Sequence, residues 1–437
     1  MGQIDNKEQI LRNQISELVA KLHDLRQSKL GFERGKSKVS YGGRVYGHKE
    51  MDALVQSAVD FWLTAGPKAL SLEKKIKKVF DAQSAYLVNS GSSANLLMVA
   101  GLCNPAYSRQ LRAGDEVITP ALTFPTTLAP LVQYGLTPVF VDVELDTYNI
   151  DADLIEGAIS PRSRAIFIPH TLGNPCRLEI ITHLAKKHNL LLIEDTCDAL
   201  GSLYDEKLVG SFGQMASLSF YPSHHITMGE GGAVVINEPE LDKIALALRD
   251  WGRDCYCKPG QSNCCGKRFS QRHGLLPYGY DHKYVYSQIG YNLKLTDMQA
   301  AIGLVQWDRL GEFVSLRKRN FSWLYEKLSA YPEFLALPRW DSKASPAWFG
   351  LPIRVTGKVT SRELTAYLEK AKIETRKIFA GNILKQPGFA SIKHRVFGSL
   401  ENTDIHMRDS FFIGVYPGLT EGMLEYIVET FEHFFHD

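Results

Sequence analysis

Short runs of apolar residues alternate with helix-like stretches along much of this chain. Seven of these runs, rich in Val, Ile, Leu and Phe, are too short to be helices: Ala85–Val88, Glu116–Thr119, Val139–Val141, Ala165–Pro169, Leu190–Ile193, Ala216–Phe220 and Ala233–Ile236. Such runs, separated by helical stretches, are typical of a largely parallel sheet that helices cover on both faces. The pattern therefore predicts one large α/β domain, which we place at residues 46–315.

The chain on either side of this domain follows other patterns. Apolar residues from Ile10 to Leu25 recur at helical spacing, so residues 1–45 are predicted to form an N-terminal helix and extension. From residue 316 to residue 437, longer helical patterns and few strands predict a smaller C-terminal α+β domain. Residues 247–290, rich in Gly, Cys, aromatic and charged residues, predict an irregular insertion, and long irregular segments of this kind are usually functional.

The composition is that of an ordinary globular protein of 437 residues, of which 44% are hydrophobic. The formal net charge of +2 gives no reason to expect nucleic acid or an anionic membrane as a partner. The polar first residues lack the apolar core of a secretion signal, and no 18 consecutive residues are apolar. We therefore expect a cytoplasmic enzyme.

Chemically distinctive residues follow three of the predicted strands, at the edge where open α/β sheets bind ligands. Residues 90–93 (Ser-Gly-Ser-Ser) could cradle a phosphate at the start of a helix, although such turns are also common without a ligand. The strand Leu190–Ile193 leads into Asp195, and a carboxylate there can hold a pyridine nitrogen protonated. A third strand leads into His224 and residues 229–232 (Gly-Glu-Gly-Gly).

The order of these motifs resembles the sugar-nucleotide aminotransferase and dehydrase family. The shared order is Ser-Gly-Ser, Thr-Phe, Glu-Asp, Ser-Phe, Gly-Glu-Gly-Gly, Gly-Tyr-Asn and Asp-Met-Gln-Ala-Ala, within residues 45–437. Members of this family are fold-type I enzymes, built like aspartate aminotransferase, that use pyridoxal phosphate (PLP) or pyridoxamine phosphate (PMP). The resemblance implies a mostly parallel, seven-stranded sheet in the large domain.

The resemblance also assigns roles to individual residues. Gly91 and Ser92 would supply backbone donors to the cofactor phosphate, and Ser219 would supply a hydroxyl. Phe124 would stack on the pyridine ring, and Asp195 would pair with the pyridine nitrogen. Asn292 would reach the cofactor phosphate in the neighbouring subunit's site. The resemblance therefore implies a homodimer with shared active sites.

His224 departs from the pattern of the aminotransferases, which carry a lysine five residues before the first glycine of Gly-Glu-Gly-Gly. Histidine forms no stable covalent link to PLP, so the cofactor is expected to bind noncovalently as PMP. An imidazole can still accept a proton near neutral pH. The expected outcome is loss of water at C3 of a sugar, although a catalytically inactive relative would also lack the lysine. Tyr221 is expected either to contact the cofactor or simply to pack.

Seven cysteines are present, and four of them follow the spacing C-x57-C-x-C-x7-C. The residues alone leave a zinc site, an iron–sulfur cluster and free thiols open. The resemblance implies a [2Fe–2S] cluster, because histidine-containing 3-dehydrases that bind one share this spacing. Its ligands here would be Cys197, Cys255, Cys257 and Cys265, with Cys264 as the alternative fourth ligand.

The implied activity is a PMP- and [2Fe–2S]-dependent 3-dehydrase that makes 3,6-dideoxyhexoses for surface polysaccharide. It would remove the C3 hydroxyl of a CDP-4-keto-6-deoxyhexose, with electrons from an NADH-dependent flavin and iron–sulfur reductase. Three alternatives stay open: a TDP-linked substrate, a GDP-sugar dehydrase without a cluster, and a non-catalytic relative of the transaminases.

Overall fold

The computed structural model describes residues 2–28, 31–357 and 359–436. Its α-helices are α1 Gly2–Gln27, α2 His48–Asp60, α3 Pro67–Phe80, α4 Gly91–Leu102, α5 Pro125–Gln133, α6 Ala152–Ala158, α7 Leu178–Lys187, α8 Pro239–Arg249, α9 Asp297–Asp308, α10 Leu310–Leu328, α11 Ser361–Lys370, α12 Glu401–Asp409 and α13 Glu421–His436. Its strands are β1 Ser84–Val88, β2 Glu116–Pro120, β3 Thr137–Val141, β4 Ser163–Pro169, β5 Leu191–Asp195, β6 Leu203–Tyr204, β7 Lys207–Leu208, β8 Met215–Ser219, β9 Gly232–Ile236, β10 Leu335–Ala336, β11 Ala344–Ser345, β12 Gly350–Val355, β13 Arg376–Lys377, β14 Arg395–Val396 and β15 Ser410–Gly414.

The large sheet has the strand order β1-β9-β8-β5-β4-β2-β3-β14. Only β9 runs antiparallel to its neighbours, so the mostly parallel sheet predicted from the apolar runs is confirmed. The sheet has eight strands, one more than predicted, because the short segment β14 pairs in parallel with β3. β14 has only two residues, one of which is an arginine, so it contains no apolar run from which a strand could be predicted.

Both faces of the sheet are buried, which explains why its strands are apolar at nearly every position. Alternate strand residues point to opposite faces. On β2, Val117 joins the core beneath α4, α5 and α8, whereas Ile118 joins the core beneath α6 and α7. The two-sided burial predicted from the continuous apolar runs is thus confirmed.

A second, antiparallel sheet in the order β10-β12-β15-β13 packs with α10, α11 and α13 around its own apolar core. Val39, from the segment after α1, belongs to this core and forms a bridge to Ile373. The segment that we assigned to an N-terminal extension therefore packs against the C-terminal part of the chain. The domain boundaries at residues 45 and 315 stay predictions.

The predicted N-terminal helix is present as α1, and it lies against α2 mainly through polar contacts. Arg12 pairs with Asp60 at 2.9 Å, and Ser16 donates to Asp52 at 2.7 Å. Several apolar side chains of α1, including Leu18, stay exposed. None of the helices described above is both long and apolar enough to cross a bilayer.

The predicted irregular insertion contains, after the end of α8, only one short 3-10 helix at His282–Tyr284 within the described residues. Two ion pairs link distant parts of this segment: Arg268 binds Asp281 at 2.6 Å, and His282 binds Asp254 at 2.6 Å. Side-chain contacts of this kind, together with turns, replace the regular backbone pairing that the rest of the domain uses.

Candidate functional site

A cavity of about 780 Å³ lies at the carboxyl edge of the large sheet. The residues that follow or end β1, β5 and β8 all line it, namely Ser90, Asp195 and Ser219. This is the edge at which open α/β sheets bind ligands, and its size suits a small-molecule site. The structure therefore gathers in one place the three strand ends that the sequence singled out.

One side of the cavity lies at the start of α4 and is lined by Ser90, Gly91, Ser92 and Ser219, a group that we call the anion cradle after its predicted role. Ser90 caps this helix by accepting a hydrogen bond from the Ser93 N–H at 3.0 Å. Side-chain atoms at position 91 would clash, because an added Cβ would lie 2.6 Å from Ser219 Cβ and 2.9 Å from Cys197 Sγ. Glycine therefore allows the start of α4 to approach Ser219 closely, and the helix dipole there favours negative charge.

Asp195, the last residue of β5, is the best-supported carboxylate of the cavity. Its Oδ2 accepts bonds from Asn95 Nδ2 at 2.8 Å and from Thr127 Oγ1 at 2.7 Å. Its Oδ1 accepts bonds from Ser217 Oγ at 3.1 Å and from the Cys197 N–H at 3.2 Å. Hydrogen bonds to a charged group contribute about 1.5–3 kcal/mol each, so these donors fix the carboxylate in one orientation.

Phe124 precedes α5 and is half exposed, although it is surrounded by cavity residues. Its ring meets Phe379 edge-on, with the ring centroids 6.1 Å apart. An edge-on neighbour leaves a face of the Phe124 ring free, and a planar ligand could stack on it.

His224 lies on the loop after β8, and a buried arginine on α10 holds this loop in place. Arg317 donates through its Nη2 to the carbonyl oxygens of Ser223 at 3.2 Å and His224 at 2.9 Å. Through its Nη1 the same guanidinium donates to the carbonyls of Trp348 at 3.3 Å and Phe349 at 3.0 Å. One side chain thus ties the histidine loop to the segment that leads into β12.

The His224 imidazole faces Phe349, with ring centroids 5.2 Å apart, and its Nδ1 lies 3.4 Å from Asp198 Oδ1. Burial and the positive charge of Arg317 lower the pKa of His224 to about 4, although Asp195 acts in the opposite direction. Burial and the charge of Asp195 raise the pKa of Asp198 to about 8. At neutral pH the imidazole is therefore uncharged and able to accept a proton, with an acidic group beside it.

Of the two remaining residues predicted for the cofactor site, one lines the cavity and the other does not. Tyr221 is half exposed and lines the cavity, and its carbonyl accepts the His224 N–H at 2.9 Å. Asn292 is exposed, forms a bridge to Asp250, and is not among the residues that line the cavity of its own chain. A role for Asn292 at the cavity of a second copy stays a prediction.

The predicted cluster cysteines are not assembled into one site. Cys197 lines the cavity, with its Sγ 3.5 Å from Ser217 Oγ. In the insertion, Cys257 Sγ accepts the Cys264 N–H at 3.2 Å, whereas Cys265 Sγ lies 3.6 Å from His282 Nδ1. Across residues 2–28, 31–357 and 359–436, no three His, Cys, Asp or Glu side chains are grouped so that they could hold a metal ion. The side chains as they stand do not fit an iron–sulfur cluster.

Sequence analysis gave no role to four residues that shape this site. Asn95, Thr127 and Ser217 hold the Asp195 carboxylate, and Arg317 holds the histidine loop. The first three stand in or beside the recognised motifs, so their position was a usable signal. Arg317 lies outside these motifs, and its partners become visible only in three dimensions.

Comparison with known proteins places these features in a family. The sequence model of the DegT/DnrJ/EryC1/StrS aminotransferase family matches residues 45–432. The lipopolysaccharide biosynthesis protein RfbH of Salmonella typhimurium is 53% identical, over 97% of this chain and 98% of its own. The dTDP-4-dehydro-2,6-dideoxy-D-glucose 3-dehydratase of Saccharopolyspora spinosa is 47% identical, over 92% of this chain and 88% of its own.

Solved structures agree with this placement. The E. coli GDP-4-keto-6-deoxy-D-mannose-3-dehydratase with bound hydrated PLP superimposes with a TM-score of 0.80. It is 28% identical, and the match covers 90% of this chain and 100% of that one. The fold-type I architecture predicted for the large domain is therefore confirmed.

Replacing Arg317 with glutamine is expected to raise the pKa of His224 above about 4, because a nearby positive charge is removed, while burial, the larger influence, keeps the pKa below 6.5. NMR titration of the imidazole, assigned through its absence in His224→Asn, measures this shift. Arg319→Gln is the matched control, since Arg319 is exposed on the same helix and bonds to Asn320. A folded Arg317→Gln protein with an unchanged His224 titration would contradict the assignment.

Proposed function

Because this chain belongs to the DegT/DnrJ/EryC1/StrS aminotransferase family, we propose that it is a PMP-dependent 3-dehydratase of 4-keto sugar nucleotides. The observation that carries this proposal is the pairing of His224, where the aminotransferases have lysine, with a fully built Asp195 site. Support also comes from relatives in this family that are named as sugar 3-dehydratases.

The cavity fits the cofactor that the family implies. Gly91, Ser92 and Ser219 would hold its phosphate, Phe124 would stack on its ring, and Asp195 would bind its ring N–H. When bound, PMP supplies an amine that condenses with the substrate ketone and a ring that withdraws electrons from the reacting carbon.

Within this site His224 acts as the general base. Its neutral imidazole accepts the proton from the carbon that bears the cofactor amine, which a lysine does in the aminotransferases. Asp198 lies 3.4 Å from Nδ1 without forming a hydrogen bond to it, so it places an ionisable group beside the base. Without a lysine to complete amino transfer, the C3 hydroxyl of the sugar leaves instead.

The substrate that we propose is a CDP-linked 4-keto-6-deoxyhexose, used for 3,6-dideoxyhexoses of surface polysaccharide. The similarity to a lipopolysaccharide biosynthesis protein supports the biosynthetic setting. Relatives named for dTDP- and GDP-sugars keep those two nucleotides as the alternatives. Competition by CDP, dTDP and GDP against turnover separates the three.

Three further features remain proposals of their own: a [2Fe–2S] cluster, an NADH-dependent flavin and iron–sulfur reductase as electron donor, and a homodimer that shares its sites through Asn292. The cysteine intervals support the first two, and the exposure of Asn292 supports the third. No catalytic role is assigned to the cluster, because no three His, Cys, Asp or Glu side chains among the described residues are grouped so that they could hold a metal ion. The cytoplasmic location also stays a prediction.

His224→Asn is expected to abolish dehydration of a 4-keto-6-deoxy sugar nucleotide while PMP affinity, measured by titration calorimetry, changes little. His224→Lys is expected to gain a covalent link to PLP, detected as a mass increase after borohydride reduction. Retained dehydration in the asparagine variant would sink the proposed role of His224, and a lysine variant that never links to PLP would show that residue 224 is wrongly aligned.

Asp198→Asn is expected to lower kcat about 10-fold, or about 1.4 kcal/mol in the barrier, because it removes the ionisable group that lies 3.4 Å from the His224 imidazole. PMP binding should stay within experimental error, because Asp195 and the anion cradle are untouched. Asp205→Asn, an exposed change in the turn between β6 and β7, serves as the control. Equal kcat values for both variants would remove Asp198 from the mechanism.

The proposal of a cluster predicts that anaerobically purified protein contains iron and sulfide in equal amounts, and that it turns over only with a reductase and NADH. Cys265→Ser should lose this iron and Cys264→Ser should keep it, since only Cys265 fits the spacing pattern. Iron-free protein that turns over without a reductase would refute the cluster, yet it would leave the dehydratase proposal standing.

A further inference from the structure

The cavity extends beyond the anion cradle and Asp195, and its negative and positive side chains come from different parts of the chain. Its three carboxylates belong to the large domain: Asp195 ends β5, Asp198 follows it in the next loop, and Glu230 lies in the loop before β9. In the part of the chain that the structure describes, only two lysine or arginine side chains line it, Arg376 and Lys377 of β13. Positive charge thus enters this cavity from the C-terminal part of the chain alone.

Arg376 lies at the cavity wall, over the ring of Tyr41. Its guanidinium lies 4.2 Å from the centroid of the Tyr41 ring, and its Nη2 donates to Glu374 Oε1 at 2.9 Å. Glu374 also binds Lys38 at 2.7 Å, so this carboxylate is shared between two cations and does not neutralise Arg376 fully. Its Nη1 donates to the Thr375 carbonyl at 2.7 Å, and a guanidinium held beside an aromatic ring in this way can present its remaining N–H groups to phosphate oxygens.

Lys377 has weaker compensation for its charge. Its Nζ donates to two neutral acceptors, Ser361 Oγ at 3.1 Å and the Arg408 carbonyl at 3.0 Å. The Asp409 carboxylate also acts on its charge, but no ion pair of the described residues joins the two. Lys377 is exposed and its hydrogen bonds go to neutral acceptors, so its positive charge is available to an anion in the cavity.

We infer that Arg376 and Lys377 bind the diphosphate of the sugar nucleotide, a ligand role that rests on the proposed function. A sugar nucleotide carries its negative charge on that diphosphate, on the far side of the hexose from the reacting C4. The anion cradle of α4 serves the cofactor phosphate, so the diphosphate needs a second cationic site in the same cavity. Arg376 and Lys377 are the basic side chains that supply it. They recognise the part that CDP-, dTDP- and GDP-sugars share and do not select among bases.

The test is calorimetric binding of CDP, dTDP and GDP to the PMP-loaded chain, without turnover. The double variant R376Q/K377Q is expected to bind the best of these nucleotides at least about 10-fold more weakly, the loss expected for a charged hydrogen bond. PMP affinity should be unchanged. Inorganic pyrophosphate should compete with the nucleotide in the wild type and lose affinity in parallel.

The control is Arg362→Gln, which removes an exposed positive charge from α11 without touching the cavity. Unchanged nucleotide affinity in a double variant that still binds PMP would overturn the inference, as would a loss equal to that of Arg362→Gln. Failure of the proposed function has a different signature, since it would leave keto sugar nucleotides unconverted even where diphosphate binding depends on both cations.

Discussion

The buried carboxylate of Asp195 is the interaction on which the rest of the site depends. It ends the central strand β5, and donors from α4, α5 and β8 converge on its two oxygens. These elements lie far apart in sequence, so the carboxylate can be satisfied only when the large sheet and its helices are packed correctly. An unpaired charge at this depth would cost several kcal/mol, and the site and the fold therefore stabilise each other.

The same carboxylate sets the chemistry of its neighbours. Its charge helps to raise the pKa of Asp198 to about 8 and opposes the burial that lowers the pKa of His224. Arg317 acts on His224 from the other side, both by repelling a proton and by binding its carbonyl. Groups at the sheet edge and on α10 therefore determine together whether the imidazole is protonated. Its protonation thus depends on how these two parts of the chain pack.

Much of this arrangement could be predicted from the sequence, for physical reasons that also mark the limit. Buried parallel strands are apolar on both faces, so the seven runs revealed the sheet, whereas the two-residue β14 left no such trace. Motifs at strand ends located Asp195, Ser219 and His224, because the carboxyl edge brings such positions together. Arg317 lies 93 positions along the sequence from His224, whose carbonyl it binds, and only the folded chain reveals that contact. The spacing of the cysteines in the sequence likewise did not predict their positions in the fold. Cys265 lies beside His282, and Cys197 lies beside Ser217.

The electrostatic environment of position 224 explains how one scaffold can serve two chemistries. Burial and Arg317 both disfavour positive charge there. For a lysine at that position, the same influences would lower the pKa of the amine and favour the uncharged nucleophile that amino transfer needs. For the histidine that is present, they keep the imidazole uncharged and able to accept a proton. Under the proposed function, a change of one side chain would convert a covalent anchor into a general base, while the surrounding electrostatics, set by Asp195 and Arg317, would need no change.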